Sequence, residues 1–196
     1  MATVLDDTTA AEDAELLARY ARGDSGAARL LTARCAPLAY RVAVRMLGDR
    51  TEAEDVTQEA MLRLFRAAPG WRAGEAKVTT WLYRVTANLC TDRLRRRPAV
   101  ALDAIEEPPS AAPSAAAGMI RAARERALQA ALARLPERQR EAVVLRHLEG
   151  LANPEIAEVM GIGVEAVESL TARGKRALAA ELAGQREALG FDDDAA

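Results

Sequence analysis

The sequence predicts an all-α protein that consists of two small helical domains joined by a flexible linker. Apolar residues recur at helical spacing along most of the 196-residue chain, and no convincing run alternates apolar with polar residues as a half-buried strand does. Segment 99–118 is rich in Ala, Pro, Ser and acidic residues, so it cannot bury a core and divides the chain. The predicted domains are therefore 12–98 and 119–187, and the second contains a helix-turn-helix.

Four helices are predicted in the first domain, where Gly and Pro mark most of the ends. Gly48 is expected to end the second helix, and Pro37 is expected to interrupt or kink it. Thr51 followed by Glu54 predicts a capping box at the start of the third helix, which closes before Pro69. The predicted ranges are 12–22, 25–47, 51–68 and 79–97.

The second domain has a residue pattern typical of a helix-turn-helix. Ala157 provides a small side chain where two helices approach, and Gly161, four residues later, allows the left-handed backbone of a tight turn. Pro154 suits the first turn of its helix, where a backbone N–H has no partner. In such units the second helix enters the major groove of DNA. The predicted ranges are 119–134, 136–149, 154–160 and 164–185.

The formal net charge of −2 conceals a strongly basic segment. Residues 61–100 hold 9 basic and 2 acidic side chains, and the segment ends in Arg93, Arg95, Arg96 and Arg97. Such a surface favours binding of a polyanion, because phosphate contacts release counterions. The alternative is a solvated helix end whose arginines face the negative end of the helix dipole.

Several classes of protein are excluded by composition. With one His and two distant cysteines, Cys35 and Cys90, the chain lacks metal-ligand spacing, and it has no nucleophile elbow or phosphate loop. We therefore expect no catalytic residue, no metal and no cofactor. No run approaches the roughly 18 apolar residues of a membrane span, so we expect a soluble cytoplasmic protein with reduced thiols. Cys90 is predicted to fill space on an apolar helix face, whereas Cys35 has no assigned role.

The whole arrangement resembles the extracytoplasmic-function group of bacterial sigma factors, in the sigma-70 family. Three stretches carry the resemblance, at 53–65, 80–97 and 135–161, and it extends over about 12–185. It implies a promoter-specificity subunit that binds RNA polymerase core, reads the −35 element with its second domain and melts the −10 element with its first. It also implies that a cognate anti-sigma protein holds the factor inactive until a stress or another signal releases it.

The resemblance assigns roles to individual residues. The acidic helix that docks on the coiled coil of the polymerase β′ subunit has its counterparts in Asp55, Gln58, Glu59 and Leu62. The residues that match the −10 strand-binding segment are Trp71, Lys77, Arg84, Asn88 and Arg93. The candidates for the −35 contact are Ser169, Thr171, Arg173, Lys175 and Arg176. The second domain is also expected to contact the β flap of the polymerase.

Some residues keep two interpretations. Trp81 either packs in the core of the first domain or contacts a base. The carboxylates of Glu165 and Glu168 would be repelled by DNA phosphates. They either accept a hydrogen bond from the N4 amino group of cytosine or complement the positive N-terminal end of the helix dipole. His147 is expected to be structural or to lie beside a phosphate. A stand-alone helix-turn-helix repressor is the main rival function, although no dimerisation seam is evident.

Overall fold

The computed structural model describes residues 2–72, 74, 76–96 and 115–183, and every regular element in these ranges is helical. This confirms the all-α fold class. The α-helices are α1 (Ala2–Ala21), α2 (Ser25–Leu47), α3 (Arg50–Ala67), α4 (Val78–Arg96), α5 (Ala115–Arg134), α6 (Glu137–Val143), α7 (Asn153–Met160) and α8 (Val164–Ala183). Most of the predicted linker lies outside the described residues, but its last part, 115–118, belongs to α5.

One prediction about a helix end in the first half was wrong. The N-cap of α3 is Asp49, whose carboxylate accepts from the Glu52 N–H at 2.9 Å, so the expected capping box at Thr51 does not start this helix. Asp49 has the extended backbone of an N-cap, and its carboxylate occupies one of the amide groups that a helix start leaves unpaired. Pro37 lies inside α2, so the helix is not interrupted there, and the alternative of a kink at Pro37 stays a prediction.

The predicted helix 136–149 is divided in two. After α6 the chain forms a π-helical turn at Val144–Leu148, in which the Glu149 N–H donates to the Val144 carbonyl at 3.0 Å. Such turns are rare and are frequent at functional sites. The helix-turn-helix itself follows the prediction, because α7 ends at Gly161 in the left-handed conformation with φ 64°.

The buried side chains form two clusters. One lies within the first half and includes Leu17, Leu31, Leu64 and Leu82. The other contains residues from both halves, and its larger members are Val42, Met46, Val56, Tyr83, Leu132, Val143, Leu145 and Ile156. The two halves of the described chain therefore share a hydrophobic core.

Polar groups buried at the seam add to this shared core. Nη1 of Arg140 donates to the Met46 carbonyl at 2.7 Å, near the end of α2. The Glu149 side chain is 2% exposed, and its carboxylate pairs with Nη2 of Arg41 at 2.7 Å. The Tyr83 hydroxyl donates to the same carboxylate at 3.2 Å. Among the described helices, none is long and apolar enough to cross a lipid bilayer.

Candidate functional site

The four predicted polymerase-binding residues lie together on one surface of α3. Asp55, Gln58, Glu59 and Leu62 line a single concavity, as their spacing over two helical turns requires. Leu62 is 42% exposed, which leaves an apolar side chain within a polar rim. We call this surface the α3 face.

Arginines neutralise part of the α3 face. Nε of Arg63 donates to the Glu59 carboxylate at 2.8 Å, and this hydrogen bond lowers the pKa of Glu59. Nη1 of Arg93 on α4 lies 3.4 Å from the Asp55 carboxylate and lines the same concavity. Arg93 therefore belongs to the basic helix α4, but its side chain points toward the acidic α3 face.

A second surface runs along α4. Arg84 and Asn88 are exposed and lie one helical turn apart, and Lys77 lies immediately before the first residue of α4. Arg95 follows Asn88 by seven residues, and it lies 3.7 Å from the Glu137 carboxylate. We call Lys77, Arg84, Asn88 and Arg95 the α4 stripe. Arg95 was predicted only as part of the basic segment and not as a −10 residue, although its seven-residue spacing from Asn88 indicates the same side of α4.

The two tryptophans beside the stripe pack against each other. The rings of Trp71 and Trp81 meet edge to face with centroids 5.9 Å apart. Both are half-buried against the cluster of the first half, which favours the core interpretation of Trp81. Trp71 is thus held by Trp81 rather than projecting freely into solvent.

The third surface lies on α8. Ser169, Arg173 and Arg176 are spaced by four and three residues and share one side of the helix, where Nη2 of Arg173 donates to the Ser169 hydroxyl at 2.5 Å. Lys175 is exposed on the neighbouring side. Thr171 differs from the other candidates, because its hydroxyl oxygen is buried and does not belong to this exposed surface.

His147, in the π-helical turn, lies close enough to α8 for the positive charge of Lys175 to act on it. Burial lowers the pKa of His147, and the positive charges of Lys175 and Arg146 lower it further. Glu168, whose role was open, accepts from the Asn153 amide at 3.4 Å and so links α8 to the start of α7. Glu165 is exposed in the first turn of α8, where a carboxylate complements the helix dipole.

In the part of the chain that the structure describes, no three His, Cys, Asp or Glu residues converge as metal ligands. Cys35 and Cys90 are buried free thiols, and burial raises the pKa of each to about 12. The described residues thus carry a helix-turn-helix, two basic surfaces and an acidic surface around an exposed leucine.

Comparison with known proteins identifies the family. The family model "Sigma-70 region 2" matches residues 31–99, and "Sigma-70, region 4" matches residues 125–178. The sigma factor SigM of Mycobacterium tuberculosis is 35% identical over 167 residues, which cover 85% of this chain and 83% of SigM. The chain belongs to the extracytoplasmic-function sigma factors of the sigma-70 family.

Other relatives support the same assignment. SigE of Mycolicibacterium smegmatis is 36% identical over 143 residues, which cover 71% of this chain and 55% of SigE. The chain thus spans about half the length of this relative but most of SigM. A solved structure of CnrH in complex with the cytosolic domain of CnrY matches with a TM-score of 0.68 and 26% identity, over 88% of this chain and 98% of that one.

Proposed function

We propose that this protein is an RNA polymerase sigma factor that docks on the core enzyme through the α3 face. The observation that carries the proposal is the convergence of Asp55, Gln58, Glu59 and Leu62 on one exposed surface. An apolar side chain within a polar rim has the composition of a protein–protein interface, whose buried core is apolar and whose rim is polar. Its partner in this proposal is the coiled coil of the polymerase β′ subunit.

In the same proposal each half of the chain binds a different promoter element. Region 2, at 12–98, opens the −10 element, where Lys77, Arg84 and Asn88 contact the separated strand, with Trp71 and Arg93 at its border. Region 4, at 119–187, reads the −35 element and contacts the β flap, and 99–118 links the two. The residues that we assign to the −35 duplex are Ser169, Arg173, Lys175 and Arg176, and Thr171 is left out because its hydroxyl is buried. Exposed arginines and a lysine on α8 support this assignment.

A cognate anti-sigma protein is the proposed regulator. The structure of CnrH with the cytosolic domain of CnrY supports this, because it matches the chain over both halves. The factor would have no catalytic chemistry and no cofactor, since the polymerase supplies both. Its place of action would be the cytoplasm, where promoter DNA and the polymerase are found.

The decisive experiment is run-off transcription with purified core polymerase on promoter fragments, with and without this protein. We expect initiation only when the protein is added, together with permanganate-reactive thymines near −10. Binding to duplex DNA without core, and no initiation with core, would instead support the stand-alone repressor.

A matched pair of leucines tests the docking surface. Leu62→Ala should weaken binding to core polymerase by about tenfold, because it removes most of an apolar side chain that the interface would bury. Leu30→Ala is the control, because Leu30 is 51% exposed on α2 and lies outside the α3 face. Equal losses of affinity in the two variants would contradict docking through α3.

A further inference from the structure

We infer that carboxylates of the chain itself occupy the phosphate-binding start of α7, and that Glu168 thereby limits how tightly the helix-turn-helix holds duplex DNA of any sequence. The inference rests on the proposed function only in treating α7 and α8 as the duplex-binding unit. It gives Glu168 a role in setting affinity, which is neither recognition of cytosine nor stabilisation of a helix dipole.

The start of α7 is a place where a DNA phosphate is expected. In a helix-turn-helix the second helix enters the major groove, while the first helix crosses the sugar-phosphate backbone. A helix start also offers unpaired amide groups and the positive end of the dipole, which together bind phosphate. In this unit the first helix is α7, and its first residue, Asn153, adds a side-chain amide to those donors.

Two donors at the start of α7 already have partners within the chain. The Ala152 N–H donates to Oε2 of Glu155 at 2.9 Å, and Nδ2 of Asn153 donates to Oε1 of Glu168 at 3.4 Å. Oδ1 of Asn153 is buried, so the amide is held with its nitrogen toward Glu168. Two carboxylates therefore stand where the oxygens of a DNA phosphate would bind.

Glu168 brings its negative charge to the flank of α8 that faces α7. The side chain is exposed, and its partner Asn153 is a neutral amide, so the pair carries a net negative charge. Phosphate contacts supply the sequence-independent part of the affinity for DNA. A carboxylate at this position therefore opposes the binding of every duplex whose backbone α7 crosses.

The rest of α8 has the opposite charge. Three exposed basic residues follow Glu168 within about two turns, namely Arg173, Lys175 and Arg176. The positive charge of Lys175 also reaches His147 in the π-helical turn. The unit thus attracts the DNA backbone along α8 and repels it at the start of α7. This asymmetry lowers the sequence-independent affinity, so base contacts supply a larger share of the total.

The test compares Glu168→Gln with wild type, each as the full chain bound to core polymerase. The probes are a labelled promoter fragment and the same fragment with its −35 segment scrambled. We expect Glu168→Gln to bind both fragments more tightly by about two- to fivefold, which corresponds to one exposed charge interaction. The glutamine oxygen can still accept from the Asn153 amide, so the contact between α7 and α8 is kept.

Glu181→Gln is the matched control, because it makes the same change of charge on the same helix. Glu181 pairs with Arg134 at 2.6 Å and lies about 20 Å further along α8, at 1.5 Å per residue. That distance exceeds the Debye length of about 8 Å at physiological salt. We expect the affinity of this variant for both fragments to equal that of wild type.

Glu168→Lys tests the same position with an attracting charge. If the backbone passes beside residue 168, the lysine gains a phosphate contact and the affinity depends more steeply on salt. The slope of log affinity against log salt should steepen by about one on both fragments. An unchanged slope would place the backbone away from this residue and overturn the inference.

Three results with Glu168→Gln would also overturn it. These are unchanged or weaker binding, a gain on the intact fragment alone, and a new preferred base pair at one −35 position, which would show that the carboxylate reads a base. The affinities are measured with and without core polymerase, whereas run-off transcription from the intact fragment tests the sigma function. If wild type does not initiate, the chain alone still reports the effect of Glu168 on duplex binding, so the two failures can be distinguished.

Discussion

At the scale of single residues, Gly174 decides how closely α8 can approach α6. A Cβ at this position would lie 2.6 Å from Cγ2 of Val143 and 3.0 Å from the Gln139 carbonyl. The carbonyl belongs to the backbone of α6 and cannot rotate away, so any side chain here separates the two helices. The glycine is required for close packing and not for its backbone freedom.

Gly174→Ala should therefore destabilise the protein by about 1–3 kcal/mol, the usual cost of overpacking. Gly70→Ala is the control, since nothing lies within 4 Å of a Cβ at that position. Urea unfolding followed by circular dichroism measures both variants. Equal stability of Gly174→Ala and wild type would contradict the close approach of α8.

Glu141 is a residue whose burial makes stability depend on pH. Burial raises the pKa of this carboxyl from its ordinary value of 4.5, and the charge of Arg138 opposes the change only in part. The folded state thus holds the proton more tightly than the unfolded state. The contribution of Glu141 is most favourable below pH 4.5 and is lost as the pH rises through the raised pKa.

Glu141→Gln should remove this dependence, because an amide does not ionise. We expect the variant to gain stability relative to wild type as the pH rises from about 4 to 8. Parallel urea titrations across this range give the difference directly. A difference that does not vary with pH would show that the carboxyl titrates alike in the folded and unfolded states.

At the scale of elements, the π-helical turn Val144–Leu148 places His147 beside α8. The pKa of His147 is lowered by burial and by two nearby positive charges, one of them on α8 itself. Such a histidine reports the local charge, because its charge changes near neutral pH. It can therefore indicate whether a phosphate lies at this edge of the helix-turn-helix.

Duplex DNA that contains a −35 element should raise the pKa of His147, because a nearby phosphate favours the protonated imidazole. The chain has one His, so a single imidazole signal in an NMR titration reports the change. The increase should disappear at high salt, which screens the phosphate charge. An unchanged pKa at low salt would place the duplex away from the π-helical turn.

At the scale of the whole molecule, the shared cluster couples the two halves during unfolding. Leu132 of α5 is fully buried and packs in the same cluster as Val42 and Met46 of α2. Each half is small, and burying its surface against the other supplies stability that a small domain has difficulty providing alone. We therefore expect one cooperative transition.

Leu132→Ala tests this coupling. Both tryptophans, Trp71 and Trp81, lie in the first half, so their fluorescence follows that half alone. The cavity should cost about 2–5 kcal/mol and shift the fluorescence-detected transition together with the loss of helix measured by circular dichroism. A fluorescence transition that stays in place would show that the halves unfold independently.

The sequence by itself determined the elements and most of the surfaces. Helical spacing predicted the all-α class, and Gly161 predicted the turn between α7 and α8. The spacing of Asp55, Gln58, Glu59 and Leu62 predicted that these residues share one helix face. These features depend on short-range spacing along one helix, and the period of a helix is known in advance. The N-cap at Asp49 was missed because Thr51 and Glu54 carried a competing local signal.

Only the tertiary structure decided how the two halves meet. Nothing local in the sequence indicates that Arg140 reaches the Met46 carbonyl, that Glu149 is buried between Arg41 and Tyr83, or that Glu137 lies beside Arg95. These contacts join residues more than 40 positions apart, and their partners are set by the packing of a shared core. A charge on an exposed helix face and a charge buried at a seam have the same sequence pattern, so burial alone distinguishes them.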